Sequence, residues 1–398
     1  MEDRIYDYWV ATLQDGYIGN IIEIAATFGG AKSMYEQFEK HKTGLFDEVM
    51  LTDKMRRYIS ARWKTTSELE KEYYGMQKLG INYVNHTDRD FPQKLLNIPS
   101  PPYGLFVKGN LPDPDKKSVA IVGARECSEY GRVCAEYFGD RLAREGIQII
   151  SGMAWGIDGI SQMASVLAGG NSYGVLGCGV DVIYPRNNRK LYEKLCIDGN
   201  GVISEYAPGT LANSRGFPPR NRIISGLCDA LLVVEAKAKS GTLITVNLAV
   251  EQGKCVMAVP GRITDELSYG CLSLIREGAI PATTIESVLE ELNQPRERYE
   301  QLTLDFSSSE KSKAPQVFGT TSSKENQIKK EMIDALSDDE KQVFGELSLD
   351  AVTADFLAEK TAKSVSEILV ILSKLDLCGL VKEIGPGAYV AEATGCIN

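Results

Sequence analysis

Histidine is almost missing from this chain: His41 and His86 are the two copies in 398 residues. Histidine-based acid–base chemistry would have to use one of them, and neither lies near a glycine-rich segment. No apolar run approaches the roughly 18 residues of a membrane span. The opening MEDRIYDYWV is acidic and lacks the basic-then-apolar order of a secretion signal. A cytoplasmic protein with no membrane partner is therefore expected. Nine cysteines are scattered, an odd total with no C-x-x-C pair, so reduced thiols are expected rather than a disulfide framework or a zinc site. A Walker P-loop is absent. No G-x-G-x-x-G follows the first strand-like run, where the loop reads GARECSEYG, and the second run ends in IISGM with no acid for a ribose. These absences argue against ATP hydrolysis and against NAD or FAD, and no cofactor or metal is expected.

What is present is an ordinary globular composition, 43% hydrophobic and 25% charged, with length for two or three domains. Residues 1–80 read as a helical domain. YIGNIIEIAATFGGAKSMYEQFEK is amphipathic and broken at Gly29-Gly30, which suits a plain αα-hairpin or a helix-hairpin-helix, SAM-like DNA-contacting module. From Ser118 short apolar runs (SVAIVG, IQIISG, SYGVLG, GVISEY, ALLVVEA, CVMAVPG) alternate with helix-like segments. Nearly continuous apolar strands alternating with helices predict a parallel sheet covered on both faces. Right-handed crossovers make it an α/β, Rossmann-like doubly wound core over residues 81–295. Residues 296–334 are apolar-poor and rich in Ser, Lys and Glu, as in a flexible linker. Residues 335–398 predict a C-terminal winged helix. Its candidate recognition helix, Val365 to Leu377, carries Lys374 as its single base, which favours a protein-interaction or weak DNA role over base reading.

Ligands of an open parallel sheet bind beyond the carboxyl ends of its strands. The loops there are rich in small residues: Gly123-Ala124-Arg125; Ser151 to Gly159, with Gly152 and Gly156; Gly177 to Asp181; and Lys237 to Thr242, with Lys239, Ser240 and Gly241. Such loops let backbone N–H groups and helix dipoles converge on a phosphate-sized anion. Net charge is −10, so indiscriminate coating of nucleic acid is excluded. Yet three acid-free stretches carry bases: Arg215, Arg220 and Arg222 between Glu205 and Asp229; Arg186, Arg189 and Lys190 between Asp181 and Glu193; Lys237 and Lys239 between Glu235 and Glu251. In GFPPRNRIISG, Arg220 and Arg222 stand at a predicted helix start, where a cation opposes the dipole unless an anion joins it. Two positions apart, they point roughly 200° apart around the axis, so one of them is free to brace the loop or pair with a carboxylate. Phe217 beside them suits base stacking or a hydrophobic staple.

VAIVGAR, SGMAWGIDG, GVLGCGVDVIYPRNN, FPPRNRIISGLCDALLVVEA, SGTLIT and EQGKCVMAVPG, with the upstream DFPQKLLNIPSPPYGLFVKGN, together resemble the DprA/Smf family of DNA-processing proteins. The resemblance covers roughly residues 85–292. It implies a non-enzymatic protein that binds single-stranded DNA in natural transformation, protects it, helps load the RecA recombinase, and forms a homodimer through its Rossmann domain. It also implies DNA contacts at Arg125, at Phe217 with Arg220, Asn221 and Arg222, and at Ser240-Gly241-Thr242. Where some relatives carry a DNA-contacting lysine, Ser214 stands here, and Arg215 is the nearest substitute. The competing reading is a Rossmann-type nucleotide phosphoribohydrolase. Its catalytic acids would fall where KSGTLIT has Ile244 and Thr245, leaving Asp158 and Glu205 as the remaining acids.

Overall fold

The structure, a computed structural model, describes residues 3–14, 20–40, 52–197, 199–293, 336–346, 352–361, 363–377, 380–385 and 388–391. His41 and the expected linker over 296–334 lie outside the described residues. The chain divides into two compact units, residues 1–308 and 309–398.

The first unit begins with helices α1 (Asp3–Ala11), α2 (Ile21–Thr27), α3 (Ala31–Lys40), α4 (Asp53–Ala61) and α5 (Thr66–Lys78). Gly29 and Gly30 turn the chain between α2 and α3 with φ of 81° and 110°, a region open to glycine. Aromatic side chains close this small core: the fully buried Trp9 ring lies 5.3 Å from Tyr35 and 6.1 Å from Phe38.

Strands β1 (Ile81–Asn85) and β2 (Gly104–Gly109) follow. The alternating part then runs β3 (Ser118–Val122), α6 (Glu129–Arg144), β4 (Gln148–Ser151), α7 (Ile157–Leu167), β5 (Ser172–Val175), α8 (Arg189–Leu195), β6 (Gly201–Ser204), α9 (Phe217–Leu227), β7 (Ala230–Val233), α10 (Thr242–Glu251), β8 (Cys255–Ala258), α11 (Tyr269–Arg276), β9 (Ile280–Pro281) and α12 (Ile285–Leu292). One sheet takes the order β1-β2-β6-β5-β4-β3-β7-β8-β9. From β6 to β9 all pairings are parallel; β2 joins β6, and β1 joins β2, antiparallel. The expected doubly wound core is therefore present, widened by the antiparallel pair β1 and β2.

Strand side chains alternate between two cores, as a period of two requires. Val119 and Ile121 pack with Phe138 and Leu142 of α6 and Val288 of α12. Ala120 and Val122 pack with Ile223 and Ile224 of α9, Val246 of α10 and Leu274 of α11. Both faces of the sheet are thus covered, and the strands read as continuous apolar runs for that reason.

The second unit contains α13 (Asp338–Gly345), β10 (Val352–Thr353), α14 (Ala354–Thr361), α15 (Val365–Leu377), β11 (Val381–Gly385) and β12 (Ala388–Ala391). Its sheet is ordered β10-β12-β11, all antiparallel. Leu357, Ile368, Leu372 and Leu375 fill its core. Three helices and a β-hairpin in this order make the expected winged helix.

Asp229 ties the start of β3 to the turn before β7. It accepts hydrogen bonds from the Ser118 N–H at 2.9 Å, the Ser118 hydroxyl at 3.1 Å and Lys94 Nζ at 2.8 Å. Burial would raise its pKa, but these partners outweigh burial and hold it below the ordinary 3.8. Asp229→Asn is expected to destabilise the fold by about 1–3 kcal/mol at neutral pH. A depressed carboxylate contributes stability above its unfolded pKa and loses it as pH falls through the folded value. The difference between the variant and the parent, followed by denaturant melts, should therefore shrink below pH 3.8.

Candidate nucleic-acid interface

β3 sits between β4 and β7, so the chain winds one way from β3 to β6 and then crosses back to β7. The loops leaving β3 and β7 diverge at this switch point and open a crevice above the carboxyl ends. The crevice holds about 700 Å³ and is lined by Gly123, Arg125, Phe217, Arg220, Asn221, Ser240, Gly241 and Thr242 among others. Three separate sequence stretches thus meet in one place. Gly152 and Gly177 line a smaller adjoining pocket with Arg125, Phe217 and Arg220. Arg215 and Lys239 are exposed but line neither; Lys237 lines the crevice instead and pairs with Glu266 at 3.0 Å.

The α9 start is built from Gly216 as N-cap, then Phe217, Pro218 and Pro219 in the first turn, where a missing N–H has no cost. Arg220 follows, and it is buried, at 5% exposure. Its Nη1 donates to the Gly152 carbonyl at 2.9 Å and to the Val175 carbonyl, and its Nε donates to Asn221 Oδ1 at 3.2 Å. Burial pulls its pKa down to about 10, opposed by the nearby Asp158 carboxylate, so it stays charged at neutral pH. Burial in turn raises the Asp158 carboxyl, against the pull of Arg220 and a hydrogen bond from the Gly152 N–H at 3.0 Å. A Cβ on Gly152 would lie 2.8 Å from Arg220 Nη2, so only glycine lets the guanidinium in. Arg222 faces away from Arg220, as the helical period demands, and pairs with the buried Glu205.

Arg220, through Nη1 and Nε, and Arg222, through Nη1, therefore brace the fold from within, the role expected of one of them, while Arg220 also lines the crevice. Ser151 is likewise internal: it is buried, and its hydroxyl donates to the Ile121 carbonyl at 2.6 Å. Gly156 acts by shape. Its φ is 81°, and a Cβ there would lie 2.2 Å from the Arg125 carbonyl.

Arg125 points outward. It is exposed, and its Cζ lies 5.7 Å from the Phe217 ring centroid. Its loop is held by Ser128, the α6 N-cap, whose N–H at 2.9 Å and hydroxyl donate to the buried Glu235. Phe217 is half-buried, with Tyr184 at 5.4 Å and 31° between ring planes. Part of the ring thus packs as a staple would, and part remains open to a ligand. On the opposite wall α10 begins at Thr242 with Gly241 as N-cap; the Leu243 and Ile244 N–H groups turn back to the Ser240 and Gly241 carbonyls at 3.2 Å each, and the positive end of the helix dipole favours an anion. Ser240 Oγ beside it is buried and has no hydrogen-bond partner among the described residues. The rim also carries Glu126, so charged lining residues number three bases (Arg125, Arg220, Lys237) and two acids (Glu126, Asp158). The surplus of positive charge is small, and its accessible part centres on Arg125.

Two aromatic residues were missed as site residues. Tyr184 and Trp155 are 43% and 50% exposed and line the adjoining pocket. Their signal was available, since each stands in a loop after an apolar run. His86 lies elsewhere, against Tyr103 at 4.8 Å. Among the described residues no cluster of His, Cys, Asp and Glu could hold a metal, and no helix is long and apolar enough to cross a membrane.

Comparison with known proteins finds relatives of the whole fold. The family model described as DNA recombination-mediator protein A matches residues 82–293, and the DprA winged helix domain matches residues 329–385. DNA processing protein DprA of Streptococcus pneumoniae is 42% identical over 237 residues, which is 60% of this chain and 80% of that protein. Protein Smf of Escherichia coli is 36% identical over 313 residues, 77% of this chain and 76% of that protein. The X-ray structure of DNA processing protein A from Streptococcus pneumoniae superposes with a TM-score of 0.60 at 33% identity, covering 73% of this chain and 99% of the other.

Arg222→Ala leaves the buried Glu205 carboxylate without its cation and should cost about 3–5 kcal/mol of stability; Arg220→Ala leaves the Gly152 and Val175 carbonyls without their donor and should cost about 1–3 kcal/mol for each. Arg125→Ala should melt within about 0.5 kcal/mol of the parent. Thermal or denaturant unfolding of the three variants checks this; a parent-like Arg220→Ala would mean that the tie is dispensable.

Proposed function

Because the chain belongs to the DNA recombination-mediator protein A family, we propose that it binds single-stranded DNA in the β3–β7 crevice. What carries this reading is the exposed Arg125 guanidinium beside the half-open Phe217 ring, at a switch point rimmed by the α10 N-terminus. A cation for the phosphate and a ring for the base are the two elements by which single strands are held without sequence reading. Loading of the RecA recombinase, homodimerisation through the Rossmann core, a cytoplasmic site of action and a role in natural transformation belong to the same reading, which rests for these on family likeness.

A non-enzymatic role is supported by the state of the acids. A phosphoribohydrolase would need free carboxylates at the ribose. Ile244 and Thr245 stand where they are expected, Asp158 is buried against Arg220 and the Gly152 N–H, and Glu205 is paired with Arg222. Of the two, Asp158 alone lines the crevice, and one of its oxygens already accepts from the Gly152 N–H.

The winged helix fits protein contact better than groove reading. Lys374 of α15 pairs with Glu340 at 3.2 Å, and Lys363 before it with Asp339 at 2.5 Å. Val365, Leu369 and Val370 of α15 and Phe356 of α14 are exposed instead. A chain lacking residues 300–398 is therefore expected to melt cooperatively and to keep its single-strand affinity; loss of either would make the winged helix integral.

Gel shifts across salt test the main proposal. Single strands should bind more tightly than a duplex of equal length, with a logarithmic salt slope of about −0.7 per phosphate engaged. Arg125→Ala should weaken binding and flatten that slope by about one phosphate contact. Equal or tighter duplex binding sinks the proposal, and a parent-like Arg125→Ala removes the crevice as its location.

A further inference from the structure

Tyr184 and Phe217 line the crevice, but Trp155 beside them does not. The adjoining pocket, about 140 Å³, is lined by Trp155, Tyr184, Phe217 and Arg125. A tryptophan at 50% exposure and a tyrosine at 43%, both lining this pocket, leave apolar ring surface open to a ligand. The backbone beneath is not relaxed. Met153 has φ of 52°, rare for a residue with a side chain, and Gly156 has φ of 81°. Met153 is fully buried and anchors the turn inward, while the chain reverses and carries Trp155 outward. Asn188 holds the reversal, its Nδ2 donating to the Met153 and Ala154 carbonyls at 3.0 Å each. A strained turn braced from a second element, with an exposed indole at its tip, is what a presented side chain requires.

We infer that Trp155 and Tyr184 stack nucleobases, so that Phe217, Tyr184 and Trp155 form one strip on which neighbouring bases of the strand lie. This rests on the single-strand reading above and extends it from one base contact to several. Tyr184 already leans on Phe217 at 5.4 Å, and the shared pocket carries the strip on to Trp155. Every base has a π-face, so such a strip tolerates any sequence. With Arg125 as the exposed cation at its edge, affinity along the strip comes mainly from rings.

The test uses the full chain and a labelled oligothymidine, with affinity read by anisotropy and stacking by tryptophan emission. Trp9 is fully buried and Trp63 stacks on Tyr35 at 5.6 Å, so Trp155 is the half-exposed indole that a base can reach. Saturation with the oligonucleotide should quench emission, and an abasic strand with the same phosphates should quench far less. Trp155→Phe should abolish most of the quench and keep the affinity. Trp155→Ala and Tyr184→Ala should each weaken binding roughly 5- to 150-fold, with the salt slope unchanged because stacking releases no counterions. If the parent binds by anisotropy but its emission does not change, or if Trp155→Ala binds like the parent, the strip is refuted and the single-strand reading stands. A Trp155→Ala effect confined to oligomeric mass would also refute it, assigning the rings to a second copy. Absence of any anisotropy change with the parent overturns both readings.

Discussion

The crevice depends on one buried cation. Arg220 bonds the carbonyls at the ends of β4 and β5 to the first turn of α9, with Asp158 supplying the opposing charge. A guanidinium can do this because its planar donors reach two carbonyls and a side chain at once, and because it keeps its charge when partly desolvated. Gly152 gives it room, and Phe217 sits three residues earlier on the same turn, its ring 5.8 Å from the Arg220 Cζ. Once Arg220 is fixed, the position of the Phe217 ring follows, and with it the wall that Arg125 faces.

The rest of the rim is secured in the same style, by buried charge at loop ends. Glu235 holds the Ser128 N-cap and thereby the Arg125 loop, while Glu205 holds Arg222. Such pairs add little net stability over an apolar packing, yet breaking one is costly. Their value here is positional. Each fixes a loop that carries no regular hydrogen bonding of its own, at the edge of a sheet whose register is set by apolar packing.

Much of this was legible in the residues. The six apolar runs from Ser118 to Gly261 became β3 to β8, because strands buried on both faces must be continuously apolar. The loops named after those runs converge as the carboxyl-end rule says. The antiparallel pair β1 and β2 was not legible: β2 finds β6 across more than ninety residues of chain, and nothing local encodes such a partner. The fate of Arg220 and Arg222 was half legible. Their opposite headings follow from the helical period, but the groups that meet them, the Gly152 and Val175 carbonyls for Arg220 and Glu205 for Arg222, come from distant strand ends. Local reasoning saw unpaired cations where the fold supplies distant partners. Trp155 escaped for a related reason, since an aromatic residue inside a glycine-rich loop reads as core until burial is known.

An acidic chain that ties Arg220 and Arg222 inward has consequences for how, on the proposed reading, it would hold a polyanion. Each phosphate neutralised at the surface releases counterions and steepens salt dependence. Here Arg220 and Arg222 are tied internally, and Lys237 is shared with Glu266. Arg125 and the positive end of the α10 dipole are what the crevice itself offers to phosphate. Binding strength must then come largely from ring faces and from backbone dipoles, which do not distinguish one base from another. The proposed binding of single strands without sequence preference would need that balance: enough charge to find the strand, too little to cling to every duplex, and stacking that a paired base cannot provide.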